Sequence, residues 1–151
     1  MKTEAKPVKS RLRPPAGSFS KWGQAICKMP PAKRIEMIRS GVKVALLVGA
    51  GQYYGLSQTS LSKLVGVSDA TITRKIKADG KLGPMESERL ARIAMIDVEA
   101  ENTFGSSELA KRWMLESNQA LGESPLSLLD TDTGVDEVRK VLAAIAYGGV
   151  A

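Results

Sequence analysis

The chain has 151 residues, of which 43% are hydrophobic and 25% are charged, and its net charge is +6. This size and composition are typical of one compact soluble domain, or of two small domains that share a core. The sequence contains a single cysteine, Cys27, and no histidine. We therefore expect no disulfide within the chain, no metal ion or other cofactor, and no enzymatic activity.

The sequence also argues against a membrane protein. No apolar run approaches the roughly 20 residues that span a bilayer. The first residues, MKTEAKPVKSRLRPPAG, are basic, but the apolar stretch of a secretory signal does not follow them. We therefore expect a cytoplasmic protein without a membrane partner.

Charge is distributed unevenly along the chain. Residues 1–34 hold nine Lys or Arg and one acid, a net charge of +8, whereas residues 106–151 carry a net charge of −3. This asymmetry predicts two partners: a polyanion for the N-terminal part of the chain, and a basic or neutral protein surface for the C-terminal part. Residues 1–30 form a basic, partly disordered arm, which either contacts DNA phosphates or serves as a solubilising tail. Within it, SFSKWGQAICKMP is a candidate for a short docked helix.

The next segment, PPAKRIEMIRSGVKVALLVGAGQYYG, predicts a helix that begins at the two prolines. Gly41 is expected to bend or divide it, and three later glycines are expected to end it: Gly49, Gly51 and Gly55. Its apolar residues recur at helical spacing. They are Ile35, Ile38, Val42 and Leu46.

The stretch LSQTSLSKLVGVSDATITRKIKADGKL predicts two short helices joined by a turn. Ser57 and Ser68 are suited to cap them, and Gly66 supplies the turn. This is the helix-turn-helix pattern, whose second helix reads the major groove of DNA. The alternative is a structural hairpin with a solvated basic face. The residues predicted to bind DNA are Gln58, Thr59, Ser68, Asp69, Thr71, Thr73, Arg74, Lys75 and Lys77.

A long helix is predicted from Pro84 to Gly105, followed by three short helices. The first short helix places Leu109 and Trp113 one turn apart, and the second, LGESPLSLLD, has Ser124 as its cap. The last one, TDTGVDEVRKVLAAIAYGGVA, has a candidate capping box from Thr133 to Asp136. Because no segment has the pattern of a strand, the predicted fold is all-α, with a helix-turn-helix domain followed by a small helical domain.

From Arg112 onward, the sequence resembles the C-terminal toxin-binding domain of the Xre/MbcA/ParS antitoxins. The matching features occur in order: Trp113, Asn118, Ala120-Leu121-Gly122, Ser124-Pro125-Leu126, Leu128-Leu129, Thr133-Gly134, Val138 and Tyr147-Gly148. The helix-turn-helix at residues 56–78, with GPMESERLARIA after it, is similar to the Xre-like half of that family. The resemblance covers residues 31–151.

The resemblance implies a type II antitoxin. Such proteins pair with a RES-domain toxin, an enzyme that consumes NAD, and cover its active site with their C-terminal domain. Their helix-turn-helix represses the promoter of their own operon. The implied domains are a basic arm at residues 1–30, an Xre-like helix-turn-helix domain at residues 31–105 and a toxin-binding domain at residues 106–151.

The resemblance also suggests a role for the end of the chain. Two glycines allow the backbone to enter a narrow cleft, Tyr147 can serve as an interface anchor, and the carboxylate of Ala151 would be drawn to a cationic phosphate site. Acidic residues would steer the encounter. In the alternative interpretation, Tyr147 closes the core. The residues expected to bind toxin are Trp113, Asp132, Asp136, Tyr147, Gly148, Gly149, Val150 and Ala151.

Two further alternatives stay open at this point. The first is a stand-alone transcriptional repressor whose C-terminal domain dimerises. The second is an enzyme, which the missing histidine and the lack of a nucleophile–base pair disfavour. A homodimer is expected for either DNA-binding protein, because operators usually offer two half-sites.

Overall fold

The structure is a computed structural model that describes residues 14–15 and 17–148, and the basic residues 1–13 and the tail residues 149–151 lie outside the described residues. Its helices are α1 (Ser18–Lys28), α2 (Pro31–Ser40), α3 (Val44–Tyr54), α4 (Gln58–Val65), α5 (Asp69–Ala78), α6 (Pro84–Phe104), α7 (Ser107–Leu115), a 3-10 helix (Leu126–Asp130) and α8 (Asp132–Ala146). The all-α prediction is confirmed. None of these helices is both long and apolar enough to cross a membrane.

Helix α6 runs through the centre of the molecule. Helices α1, α2, α4, α7 and α8 and the 3-10 helix all pack against it. Residues on most of its faces are therefore buried, as expected for a helix that is covered all round rather than on one stripe. They are Ser87, Leu90, Ala91, Ile93, Ala94, Ile96, Asp97 and Ala100.

Helix α1 confirms the short docked helix expected in the first 30 residues. It buries Phe19 and Ile26, and it approaches α6 closely at Gly23. A Cβ atom at Gly23 would lie 2.9 Å from the backbone oxygen of Ala94, which is too close for any larger residue without a shift of the helix. The glycine therefore sets the distance between the two helices.

Gly41 divides the segment after α1 into α2 and α3, as predicted. Its φ is +85°, which favours glycine. The rest of the expectation was wrong, because Gly49 and Gly51 lie inside α3 and only Gly55 ends it. A Cβ at Gly51 would lie 2.7 Å from a methyl carbon of Leu61, so this glycine makes room for α4. Ile35 is 49% exposed and does not join the apolar stripe.

The inward face of α7 also differs from the expected one. Leu109 is 47% exposed, whereas Ala110 and Met114 are fully buried. After α7, Ser127 donates its backbone N–H to the hydroxyl of Ser124 (3.3 Å), as expected of a capping serine, but the segment that follows is a 3-10 helix whose N-cap residue is Pro125. Leu126 and Leu129 of the 3-10 helix are both buried.

One carboxyl lies in the core. Asp97 of α6 is 1% exposed and accepts a hydrogen bond of 2.7 Å from the hydroxyl of Tyr54 in α3. Burial raises the pKa of the Asp97 carboxyl, and the bond from Tyr54 opposes that rise. Because the folded pKa lies above the unfolded one, the stability linked to this group is present at low pH and is lost as pH rises through the folded pKa.

This pair yields a prediction with a matched control. Tyr54→Phe should lower the free energy of unfolding by about 1–3 kcal/mol, because it leaves a buried carboxyl without its donor. The cost should grow as pH rises through the raised pKa of Asp97. Tyr53→Phe should lower that free energy less, since the Tyr53 hydroxyl makes no hydrogen bond of normal length within the described residues and lowers the pKa of Asp97 less than Tyr54 does. Denaturant unfolding at several pH values measures the free energy of unfolding of both variants. Equal losses in the two variants would contradict the role assigned to the Tyr54 hydroxyl.

Candidate functional site

Helices α4 and α5 form the predicted helix-turn-helix, and local signals fix both ends of the turn. Ser57 accepts a hydrogen bond from the backbone N–H of Ser60 (3.2 Å), and Ser68 accepts one from Thr71 (3.2 Å), so both expected caps are confirmed. Gly66 has a φ of +75° and ends α4. These are the backbone conditions that a short turn between two helices requires.

Helix α5 presents one polar, exposed face. Ile72 and Ile76 are buried against the core. Thr73, Arg74 and Lys77 are exposed, and their spacing puts them on one side of the helix. This face has a short hydroxyl side chain near its N-terminal half and cations toward its C-terminal end. An α-helix with such a face fits the major groove, where cations meet phosphates.

Four of the residues predicted to bind DNA are joined by hydrogen bonds between α4 and α5. The amide nitrogen of Gln58 donates to the hydroxyl of Thr73 (2.9 Å) and to the backbone oxygen of Asp69 (3.0 Å). The hydroxyl of Thr59 donates to the Asp69 carboxylate (3.3 Å). These hydrogen bonds hold the start of α5 at a fixed angle to α4. Gln58 and Thr59 therefore fix the position of α5, in addition to being exposed on the predicted DNA-binding surface.

Three further residues predicted to bind DNA also have contacts inside the protein. The hydroxyl of Ser68 donates to that of Thr71 (2.9 Å), so both belong to the cap of α5. The ammonium of Lys75 donates to the backbone oxygen of Lys81 (2.7 Å), beyond the end of α5. Arg74 and Lys77, in contrast, point outward from the middle and end of the exposed face.

The chain between α7 and the 3-10 helix folds into a turn around Asn118. Its side-chain oxygen accepts hydrogen bonds from the backbone N–H groups of Ala120 (2.9 Å) and Leu121 (3.2 Å). Gly122 follows with a φ of +85°. An Asn that bonds its own backbone two or three residues on is a common turn former. The motif Asn118…Ala120-Leu121-Gly122 therefore has a structural role.

Helix α8 begins earlier than the sequence suggested. Thr131, not Thr133, is its cap, and its hydroxyl accepts a hydrogen bond from the backbone N–H of Gly134 (2.9 Å). Gly134 is buried, and a Cβ atom at this position would collide with the backbone oxygen of Leu128. The 3-10 helix thus approaches α8 so closely that position 134 accepts only glycine.

Two ion pairs connect α8 to α6. Arg92 pairs with Asp132 and also donates to the backbone oxygen of Leu129 (3.3 Å). Arg139 binds both carboxylate oxygens of Glu99, at 3.0–3.2 Å, and these hydrogen bonds raise the pKa of the Arg139 guanidinium. Asp132, predicted to meet the toxin, therefore has a partner already, although its side chain is 90% exposed. Sequence reasoning missed Arg92, which lies 40 residues away.

The C-terminal end of α8 projects from the core. Leu142 is the last buried residue of the helix, and the residues after it carry no charge as far as Gly148. Tyr147 is 91% exposed, so the alternative in which it closes the core is wrong. Gly148 has a φ of +80°.

The other residues expected to bind toxin lie apart from one another along the domain. Trp113 is half-buried against Phe104, with ring centroids 5.6 Å apart. Asp136 is exposed on α8. The last three members of that set, Gly149, Val150 and Ala151, lie outside the described residues. Within residues 14–15 and 17–148, no three Asp, Glu or Cys side chains come together as metal ligands would.

Comparison with known families agrees with this division of surfaces. Residues 33–95 match the family described as the antitoxin Xre-like helix-turn-helix domain. Residues 99–148 match the antitoxin Xre/MbcA/ParS C-terminal toxin-binding domain, a match that begins inside α6. An "Antitoxin Xre" of Yersinia enterocolitica is 30% identical over 124 residues, which cover 78% of this chain and 84% of that protein. The chain belongs to the Xre antitoxin family.

Two other relatives of this Xre-family chain match different shares of its length. An "Antitoxin Xre" of Pseudomonas putida KT2440 is 37% identical over 79 residues, which are 52% of this chain and 50% of that protein. A protein of Sphingobium sp. YBL2, named "Prs ADP-ribosylating antitoxin", is 27% identical over 138 residues, which are 85% of this chain and 87% of that protein. The resemblance noted in the sequence is thus confirmed for both halves of the chain.

The start of α8 provides a test within the toxin-binding domain. Thr131→Ala should lower the free energy of unfolding by about 1 kcal/mol, because it removes the cap that holds the Gly134 N–H. Thr133→Ala, at the exposed second residue of the helix, should change it by less than about 0.5 kcal/mol. Chemical denaturation of both variants measures the difference. A larger loss for Thr133→Ala would mean that the capping box expected from the sequence is the correct one.

Proposed function

We propose that this Xre-family antitoxin binds and neutralises a RES-domain toxin that degrades NAD, and that it represses its own operon through α4 and α5. The family's toxin-binding domain and helix-turn-helix provide the two surfaces. The name of the Sphingobium relative, "Prs ADP-ribosylating antitoxin", associates that protein with ADP-ribosylation. Because NAD is the donor in ADP-ribosylation, this association supports a partner that consumes NAD.

The projecting end of α8 carries the proposal for toxin binding. Four residues separate Leu142, the last buried residue of α8, from Tyr147, which is 91% exposed. An uncharged helix end with an exposed aromatic ring is costly to leave in water and is well suited to enter a pocket. Gly148, in a left-handed backbone conformation, turns the chain away from the helix axis. In this proposal the end of α8 and residues 147–151 block the toxin's active site.

Charge at the other end of α8 supports a second contribution to the same encounter. Asp136 is exposed beside the ion pair of Arg139, and Asp132 keeps an exposed carboxylate despite its bond to Arg92. Both lie on the first turns of α8. Such acidic groups at the rim of an interface speed the encounter with a cationic partner more than they tighten it. Trp113 would lie at the same surface or support it through Phe104.

The exposed face of α5 is the proposed reader of operator DNA. Thr73 and Arg74 would contact bases, and Lys75 and Lys77 would contact phosphates. The bonds from Gln58 and Thr59 to this helix would keep its angle in the groove constant. A homodimer would place two such helices on two half-sites, one helical turn of DNA apart. In the corresponding division of the chain, residues 31–105 bind DNA and residues 106–151 bind toxin. The arm predicted at residues 1–30 is shorter than expected, because α1 packs on α6 and buries Phe19 and Ile26.

The DNA-binding surface can be tested with Arg74→Ala. Loss of this exposed side chain should weaken binding to DNA from upstream of the operon by about 1–3 kcal/mol and leave toxin binding intact. Arg112→Ala is the matched control, because it removes an equally exposed charge from α7 in the other half of the protein. Fluorescence anisotropy with labelled promoter DNA measures both variants. Equal affinity for Arg74→Ala and wild type would exclude α5 as the reading helix.

The toxin-binding surface can be tested with Tyr147→Ala. Because the side chain is almost fully exposed, its loss should leave thermal unfolding unchanged and weaken toxin binding by about 2 kcal/mol, or about thirty-fold. Met85→Ala is the control, since Met85 is also a large exposed apolar residue (69%), at the start of α6. Deletion of residues 147–151 should abolish protection of cells from the toxin. Full protection by the truncated protein would contradict the proposed mechanism.

A further inference from the structure

Two lysines from distant parts of the chain face each other across a short antiparallel bridge. Lys43 pairs with Lys81, and hydrogen bonds run from Leu82 N to Val42 O (2.8 Å) and from Val44 N to Gly80 O (3.0 Å). These bonds flank the pair, an arrangement in which opposed Cα atoms are only about 4.5 Å apart.

The neighbours of the two lysines fix where their side chains point. Val42, Val44 and Leu82 are all buried, and side chains alternate between the two faces of an extended strand. Lys43 and Lys81 therefore both extend into solvent on the same side of the bridge, as their exposure shows.

The pair is electrostatically unfavourable by itself. Like charges directly opposite each other destabilise an antiparallel pair. Lys75 adds a third ammonium, because it donates to the backbone oxygen of Lys81 (2.7 Å). None of the three forms an ion pair with another residue in the described part of the chain. We name Lys43, Lys75 and Lys81 the lysine corner. An anion bound from outside the protein would reduce the repulsion among these three ammonium groups.

The backbone of the lysine corner is fixed by contacts with its neighbours. The backbone N–H of Val42 donates to the buried hydroxyl of Ser87 in α6 (2.9 Å). Gly41, with a φ of +85°, lets the two segments approach so closely that a Cβ would collide with the backbone oxygen of Leu82. The backbone at Lys43 and Lys81 therefore need not rearrange when a ligand binds to their side chains.

The position of the corner identifies the anion. It continues the cationic end of α5, where Lys77 and Arg74 are exposed, past the last turn of that helix. We propose that the lysine corner binds the phosphate backbone of DNA beside the bases that α5 reads. This inference rests on the proposed DNA binding and adds Lys43 and Lys81 to its contacts. Because phosphates carry no sequence information, the corner would contribute affinity and register rather than specificity.

The test is the salt dependence of DNA binding by the full chain. Lys43→Gln/Lys81→Gln should reduce the slope of log affinity against log salt concentration by between about 1 and 2, because each phosphate contact contributes about 0.9. The reduction should be the same on promoter DNA and on unrelated DNA. Lys43→Arg/Lys81→Arg, which keeps both charges, should keep the wild-type slope.

Arg112→Gln/Lys140→Gln is the charge-matched control, because it removes two exposed positive charges from α7 and α8, in the half of the protein that is proposed to bind toxin. It should leave the slope unchanged, and an equal reduction in the control would overturn the assignment. An unchanged slope in the Lys43/Lys81 glutamine variant, with promoter binding still lost in Arg74→Ala, would overturn the corner alone. Failure of the wild type to bind DNA would overturn both proposals. If Lys43→Gln/Lys81→Gln does not fold, the folded Lys43→Arg/Lys81→Arg protein provides the test. A reduced salt slope in that protein would then overturn the assignment of the lysine corner to phosphate.

Discussion

The burial of α6 is the constraint on which the rest of the structure depends. A helix with apolar residues on nearly every face is stable in water only when other elements cover it. Helices α1, α2 and α4 cover it from one half of the protein, and α7, α8 and the 3-10 helix cover it from the other. Its one buried charge, Asp97, is satisfied by Tyr54 of α3. Because both halves pack on the same helix, neither proposed binding surface is separate from the common core.

This arrangement also brings the two halves into direct contact. The 3-10 helix packs against α4, the first helix of the helix-turn-helix. A cleft of about 340 Å³ lies at that junction, lined by Leu56 and Leu64 on one side and by Leu115 and Leu126 on the other. The opposite end of the toxin-binding domain, at Tyr147, is free of such contacts. The structure thus combines a contact between the two halves at α4 with an exposed helix end at Tyr147.

The sequence predicted those features that local signals determine. Ser57, Ser68 and Gly66 were correctly assigned because a cap or a turn depends on residues three or four positions away. Features that depend on distant neighbours were missed. Gly51 lies inside α3, where its missing side chain leaves space for Leu61 of α4. The start of α8 was missed for a different reason: Thr131 and Thr133 are both suited to cap a helix, and in the structure Thr131 accepts from the Gly134 N–H. The pairing of Lys43 with Lys81 joins segments 38 residues apart, and no local pattern announces it.

The central claim is that one protein partner is held at the end of α8 while α5 reads DNA. The most direct measurement is to isolate the tagged full chain from its native cell and to identify what copurifies by mass. The account predicts one small protein partner that consumes NAD once it is separated from the chain. Recovery of the chain without a protein partner, as a dimer that still binds promoter DNA, would contradict it and would favour a stand-alone repressor.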